Sequence, residues 1–130
     1  MNDVLGTWEV DQGIATIERD PYRPGGLLLN LNGTHSSYID PDPLNVEFEY
    51  MQWMVGVIEQ LWEDPDLLAL LHIGGAACTM ARWAVARYKN AHNLVIESDA
   101  KLADLVRKEL DLPRAPKLRI RVADAATELA

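Results

Sequence analysis

Cysteine is almost missing from this chain: Cys78 stands alone, so neither a disulfide framework nor a thiolate metal cluster can be built. Basic residues are scarce as well. Twelve Lys and Arg face twenty Asp and Glu, for a formal net charge of −8. With no basic patch to neutralise phosphates, a nucleic-acid partner is not expected. An acidic field instead favours cationic small molecules and keeps a protein soluble. No apolar run reaches membrane length and no segment has the basic start and apolar core of a signal peptide, which predicts a cytoplasmic protein with no membrane partner. His35, His72 and His92 form no H-x-x-x-H or H-x-E arrangement, and no serine sits on a G-x-S-x-G elbow, so neither a metal site nor a serine nucleophile is predicted. Internal repeats and low-complexity tracts are absent too. What is present is 130 residues, 48% of them apolar. That is enough for one real core but short for a complete doubly wound sheet.

Two periods divide the chain. From Thr7 to Asp40, short apolar runs alternate with turn residues: Asp11-Gln12-Gly13 separates two runs, residues 21–26 form a loop, and Leu27–Leu31 leads into Asn32-Gly33. An Asn-Gly pair between extended segments signals a hairpin, because both central residues need positive φ. This predicts a small antiparallel sheet of three or four strands. Pro41 and Pro43 end the extended structure, and Asn45 is placed to cap a helix after them. From residue 46 to about 63 the period becomes helical, with Phe48, Met51, Val55, Ile58 and Trp62 on one face.

After Asp64-Pro65-Asp66 the pattern predicts a strand at 67–73, a helix at 78–89, a strand at 94–97, a helix at 100–111 and a strand at 118–122. Leu102, Leu105, Val106 and Leu110 form the inner stripe of the later helix. Such alternation with short connections calls for a parallel sheet with right-handed crossovers. The expected architecture is α/β: an antiparallel hairpin domain over residues 1–42, then the first half of a Rossmann-like parallel sheet over 43–130.

Gly74-Gly75-Ala76-Ala77 follows a strand and opens a helix, where glycines permit a tight turn and a helix N-terminus favours polar or anionic groups. Glu97 ends the second strand, where a carboxylate can accept hydrogen bonds from both ribose hydroxyls. Asp99 is read as the N-cap of the following helix. Asp124 ends the third strand, where it can read an exocyclic amine of a base or cap a helix, and the two roles are compatible. The three strand ends converge, in this reading, on one nucleoside-sized crevice. His72 is read as a packed core histidine and Cys78 as a small buried residue at a helix start.

These segments, in order, resemble the polyamine aminopropyltransferase family, the spermidine synthases and their bacterial relatives. Leu31-Asn32-Gly33-Thr34-His35-Ser36-Ser37 is similar to the family's L-D-G-x-x-Q-S hairpin, and Glu47-Phe48-Glu49-Tyr50 to its E-F-x-Y helix start. Leu71 to Ala77 resembles the glycine-rich motif, Val95-Ile96-Glu97-Ser98-Asp99 the V-E-x-D segment, and Val122-Ala123-Asp124-Ala125 the G-D-A segment. The resemblance implies a hairpin domain before a class I methyltransferase-like domain. It implies transfer of an aminopropyl group from decarboxylated S-adenosylmethionine to a diamine, giving methylthioadenosine, with no permanently bound cofactor. Carried over by position, Glu97 holds the ribose, Asp124 and Ala125 the adenine side, Gly74, Gly75 and Ala76 the methionine-derived portion, and Ser36 stands where a donor-holding glutamine is usual. Tyr50 and Glu47 line the amine side.

The chain departs from the family pattern at Asn32, Ser36 and Ala76-Ala77, and the family's amine-deprotonating acid has no counterpart in these residues. No catalytic residue is therefore assigned, and the chain by itself is expected to be inactive. An S-adenosylmethionine-binding methyltransferase-like protein and a non-catalytic oligomeric binding module stand as alternatives. An unpaired edge at residues 67–71 points to a homo-oligomer.

Overall fold

The structure, a computed structural model, describes residues 3–130. Four strands, β1 (Asp3–Val10), β2 (Gly13–Arg19), β3 (Leu27–Leu31) and β4 (Thr34–Ile39), form an antiparallel meander in the order β1-β2-β3-β4. The β3–β4 hairpin turns on Asn32 and Gly33 at φ of 52° and 78°, both positive as the Asn-Gly pair requires. Asn32 does more than turn the chain. Its Oδ1 accepts from the Ile14 N–H at 3.0 Å while its Nδ2 donates to the Gln12 carbonyl at 3.0 Å, tying this hairpin to the β1–β2 turn. Only an amide can do both, which gives the departure from the family aspartate a physical reason.

Helix α1 (Glu49–Leu61) connects the meander to a parallel sheet, β5 (Leu68–Ile73), β6 (Ala91–Glu97) and β7 (Leu118–Val122), in the order β5-β6-β7. Helices α2 (Thr79–Arg87) and α3 (Ala100–Glu109) make the crossovers, and the short α4 (Ala125–Glu128) comes after β7. Paired residues such as Leu71, Leu94 and Arg119 lie side by side across the three strands. Val10, Ala15, Ile17 and Leu29 of the meander share one core with Ala81 of α2, Leu102, Leu105 and Val106 of α3, and Val95 and Leu118 of the parallel sheet. The inner stripe read from the sequence, Leu102, Leu105, Val106 and Leu110, is buried throughout. No helix among the described residues is long and apolar enough to cross a membrane.

Several boundaries differ from the sequence reading, each for an identifiable reason. Asn45 does not cap α1. Its Nδ2 donates instead to Asp40 Oδ2 at 2.8 Å and Glu47 Oε1 at 2.9 Å, and α1 begins at Glu49 after Phe48, with no side-chain cap. The carboxylate of Asp40 is fully buried and must be satisfied, so it recruits Asn45 beside the Arg23 guanidinium and the Asp42 N–H. Trp62 leaves the inner face and is the C-cap of α1. Strand β6 starts at Ala91 rather than at residue 94, because polar Asn93 is buried inside it, donating to the Lys117 carbonyl and meeting His72 Nε2 at 2.8 Å. Helix α2 starts at Thr79, after a turn that takes in Ala76 to Cys78.

Asp99 is the joint between the two sheets. It caps α3 by accepting from the Leu102 N–H at 2.9 Å, and accepts from the Asp11 and Gln12 N–H groups of the β1–β2 turn, both at 3.0 Å. Asp11 completes the exchange, its Oδ2 accepting from the Ala100 N–H at 2.8 Å. Burial pushes the Asp99 carboxyl up, but the donors from Leu102, Asp11 and Gln12 outweigh it and hold it below the ordinary carboxylate range.

The joint can be tested by substitution and by acid. Asp99→Ala removes a helix cap and leaves two turn N–H groups without their acceptor, and urea titration should show a loss of about 2–4 kcal/mol. Asp99→Asn, which keeps one acceptor oxygen, should lose less. Acid should also lower the stability of the folded state over two pH windows. His72 is held below the usual imidazole value by burial, so its contribution is present above about pH 6.5 and fades as pH falls through its folded-state pKa. That of Asp99 is present above about pH 4 and fades below it. Urea midpoints that do not fall between about pH 7 and pH 5 would contradict the first, and midpoints that do not fall further below about pH 4 the second.

Candidate functional site

The loop leaving β5 is built under strain. Gly74 has φ of 73°, and Ala76 and Cys78 have φ of 46° and 61°, a left-handed conformation that costs a residue with a Cβ about 1–2 kcal/mol. The surroundings hold it there. The Ala77 N–H donates to Ser37 Oγ at 3.3 Å, the Cys78 N–H to the Gly75 carbonyl at 2.7 Å, and Thr79 Oγ1 to the Tyr38 carbonyl at 3.0 Å. Ala77 and Cys78 are both buried. Strain of this kind persists only where neighbours over-determine the backbone.

The two glycines serve different ends. A Cβ on Gly75 would collide with Val95 Cγ1, so this glycine lets loop and sheet pack closely. A Cβ on Gly74 would meet nothing within 4 Å, because its α-carbon faces the open cleft.

Opposite the loop, β6 delivers Glu97. The residue is 7% exposed, and three backbone N–H groups converge on its carboxylate: Gly75 and Ala76 on Oε1, both at 3.3 Å, and Asp99 on Oε2 at 3.0 Å. The side chain is thereby fixed at the strand end, with acceptor capacity left on its oxygens. The β7 end delivers Asp124, exposed, which caps α4 by accepting from Thr127 N–H at 3.0 Å and Thr127 Oγ1 at 2.8 Å. Those bonds hold its carboxyl below the ordinary range.

Gly74, Glu97, Asp124 and Ala125 line one cleft of about 230 Å³, together with Ile73 and Ser98. The convergence expected of three adjacent strand ends is therefore present. At under 300 Å³ the cleft is smaller than a pocket that encloses a ligand usually is. A second cavity of about 320 Å³ starts at Gly74 and Gly75 and runs beneath α1, where Tyr50 lines it beside Met51 and Met54. Glu47 does not line either cavity; it accepts from Asn45. Ala76 enters through its N–H to Glu97 alone. Ser36 sits in a β-bulge, the unpaired residue between the Leu29–Ser37 and Asn30–His35 pairs, outside both cavities. Its neighbour Ser37 is the one that grips the glycine loop, a role the sequence reading missed. Strand parity carried the signal, since Ser37 shares a face with buried Ile39. Burial pushes the Cys78 thiol up to about 11, so it is no thiolate at neutral pH. Among the described residues, no group of three or more His, Cys, Asp or Glu could hold a metal ion.

Comparison with known proteins bears on the fold. No family sequence model matches the chain, and no curated protein sequence does. Solved structures do. A probable spermidine synthase from Corynebacterium glutamicum ATCC 13032 is similar at 40% identity and a TM-score of 0.86, covering 95% of this chain and 46% of that one. A spermidine synthase in complex with the transition state analogue AdoDATO shares the fold at 20% identity and a TM-score of 0.69, covering 98% of this chain and 43% of that one. The spermidine synthase from Thermotoga maritima does so at 18% identity and 0.69, with the same coverage. The chain spans less than half the length of each. A fold shared at a TM-score of 0.86 and a 40% identity over 95% of these residues place the chain in the spermidine synthase-like family, over the portion of that fold it spans.

Proposed function

We propose that this chain is the donor-binding portion of an aminopropyltransferase of polyamine biosynthesis, and that it binds decarboxylated S-adenosylmethionine without turning it over alone. The observation that carries the reading is the meeting of Gly74, Glu97 and Asp124 at the ends of three adjacent parallel strands, around one cleft. In open α/β sheets ligands bind in the crevice beyond the carboxyl ends of the strands. The relative solved with AdoDATO supports a nucleoside donor and an amine acceptor for proteins of this fold.

In this reading Glu97, already held by three N–H groups, accepts from the ribose hydroxyls. Asp124 faces the base, where its carboxylate accepts from an exocyclic amine, and Gly74 leaves its surface bare for the sulfonium side of the donor. Tyr50 sits on the acceptor side, lining the cavity that opens from the same glycines. In the transfer an amine nitrogen attacks the methylene carbon next to the sulfonium. The carbon–sulfur bond breaks with its electron pair going to sulfur, methylthioadenosine leaves, and the new ammonium gives up a proton. A net charge of −8 favours both cationic reactants.

The proton is where this chain falls short. General-base help is worth roughly two to four orders of magnitude in rate. The cleft's two carboxylates are Glu97, gripped by the loop, and Asp124, engaged as a cap. Neither is free to serve as that base.

Titration calorimetry tests the reading. Decarboxylated S-adenosylmethionine and methylthioadenosine should both bind, and unmodified S-adenosylmethionine more weakly, because its added carboxylate would lie near Glu97. The opposite preference would favour the methyltransferase-like alternative. Glu97→Gln should weaken nucleoside binding about tenfold to a hundredfold, the worth of a charge-assisted hydrogen bond. No spermidine should form from putrescine; clear turnover by the 130-residue chain would remove the claim of inactivity.

A pair of glycine variants separates packing from binding. Both should lower the melting temperature, Gly75→Ala because buried Val95 must move and Gly74→Ala by the roughly 1–2 kcal/mol of a Cβ at φ of 73°. Gly74→Ala should be the more damaging to donor affinity.

A further inference from the structure

We infer that the turn between β1 and β2 sets the nucleoside affinity of the cleft, with Asp11 as a positioning residue that acts on Glu97 through Asp99. The inference rests on the donor-binding reading, since it takes Glu97 as the acceptor for the ribose hydroxyls.

The cleft is lined by nothing from the meander. Its walls come from residues 73–74, 96–98 and 123–125, at the ends of the parallel strands and the start of α4. Yet its buried carboxylate is held from the meander side. Of the three N–H groups on Glu97, the nearest is that of Asp99, at 3.0 Å from Oε2, against 3.3 Å for each of the two on Oε1. Ser98 alone stands between the two residues; it is exposed in the cleft, whereas Glu97 and Asp99 are both buried. The place of the Asp99 main chain therefore decides where Glu97 Oε2 points.

Asp99 is fixed by more than its own helix. As an N-cap its Oδ1 accepts from the Leu102 N–H at 2.9 Å. Its two oxygens also accept from the Asp11 and Gln12 N–H groups, both at 3.0 Å. The turn returns a bond, because Asp11 Oδ2 accepts from the Ala100 N–H at 2.8 Å. Residues 99 and 100 are thus gripped in both directions by a turn whose own residues, Asp11 and Gln12, are exposed. Asn32 holds the far side of that turn through the Gln12 carbonyl and the Ile14 N–H. Gly13 leaves room for this amide, since a Cβ there would collide with Asn32 Oδ1. The turn is a rigid handle. Apolar packing of Val10, Ile17 and Leu29 already joins the two layers; what the polar bonds add is the orientation of one carboxylate.

Orientation matters because a ribose presents two neighbouring hydroxyls. A carboxylate that accepts from both must hold its plane against them. With Oε1 fixed by the glycine loop and Oε2 by Asp99, that ordering is complete before a ligand arrives. Releasing the turn lets Asp99 move, and the ordering must then happen on binding. By linkage the reverse holds too: a nucleoside on Glu97 steadies the turn by the same factor.

Calorimetry with adenosine and 2′,3′-dideoxyadenosine on the 130-residue chain tests the inference, because these probes differ only in the hydroxyls assigned to Glu97. The unaltered chain should prefer adenosine about tenfold to a hundredfold, the range for hydrogen bonds to a charged group. Asp11→Ala should cut that preference about threefold to tenfold, as expected when one side chain must be ordered on binding, with the affinity for dideoxyadenosine unchanged. Asp11→Asn keeps an oxygen for the Ala100 N–H and should restore the preference. Ile17→Val thins the shared core without touching the turn; it should lower the melting temperature and leave the preference intact. Circular dichroism checks that each variant folds. Should Asp11→Ala not fold, Asp11→Glu takes its place with the same expectation, since it keeps the charge but displaces the carboxylate by one methylene. A preference unchanged by the Asp11 substitution, or lost equally in Ile17→Val, overturns this inference and leaves the nucleoside reading standing. An unaltered chain that does not bind adenosine, or binds both probes alike, removes the nucleoside reading and this inference with it.

Discussion

A relay of carboxylates receiving backbone N–H groups holds the molecule in its working shape. Asp99 ties the β1–β2 turn to the start of α3, the Asp99 N–H ties to Glu97, and Glu97 ties to the Gly75 and Ala76 N–H groups. Each link sets an acidic side chain against unsatisfied main-chain donors, at a helix start or in a tight loop, where the backbone is electropositive. The glycine loop is positioned relative to the meander by this path and by Ser37 and Tyr38. Strain at Ala76 and Cys78 persists because the relay and β4 leave the loop no other place to go.

One physical division separates the features legible in the sequence from those hidden in it. Periodicity and turn chemistry are local, so the Asn32-Gly33 hairpin, the stripe of α3, the Asp99 cap and the order of strands could be read directly. Long-range polar pairing is not local. Nothing near Asn45 shows that Asp40, once buried, will take its amide, and nothing near Asn93 shows that it lies inside a strand facing Lys117 and His72. The bulge at Ser36 is of the same kind: one unpaired residue reverses which of two adjacent serines faces the glycine loop. The site itself was legible to the extent that it is made of strand ends. Gly74, Glu97 and Asp124 meet because topology makes them meet, whereas the grip of the loop on Glu97 depends on loop conformation that no spacing rule describes.

The departures from the family motifs are not equivalent. Asn32 has a positive structural reason, because its amide both donates and accepts between two turns. Ala76 places a side chain where the backbone favours glycine, and the loop tolerates it at a cost in strain. Ala77 is wholly buried, so this position presents no charge to either cavity.

The shared core also has a consequence for biosynthesis. The groups that lock the meander in place, Asp11 and Gln12 on one side and Asp99 on the other, lie 88 and 87 residues apart in the chain. The meander is made before the rest of this core, and Ile17 and Leu29 lack their partners Ala81 and Val95, then Leu102 and Val106, until those elements follow. Throughout that interval it is a small twisted ribbon with one greasy side uncovered, a state prone to wrong pairing. Translation speed across residues 40–99, rather than any property of the finished protein, sets how long that exposure lasts.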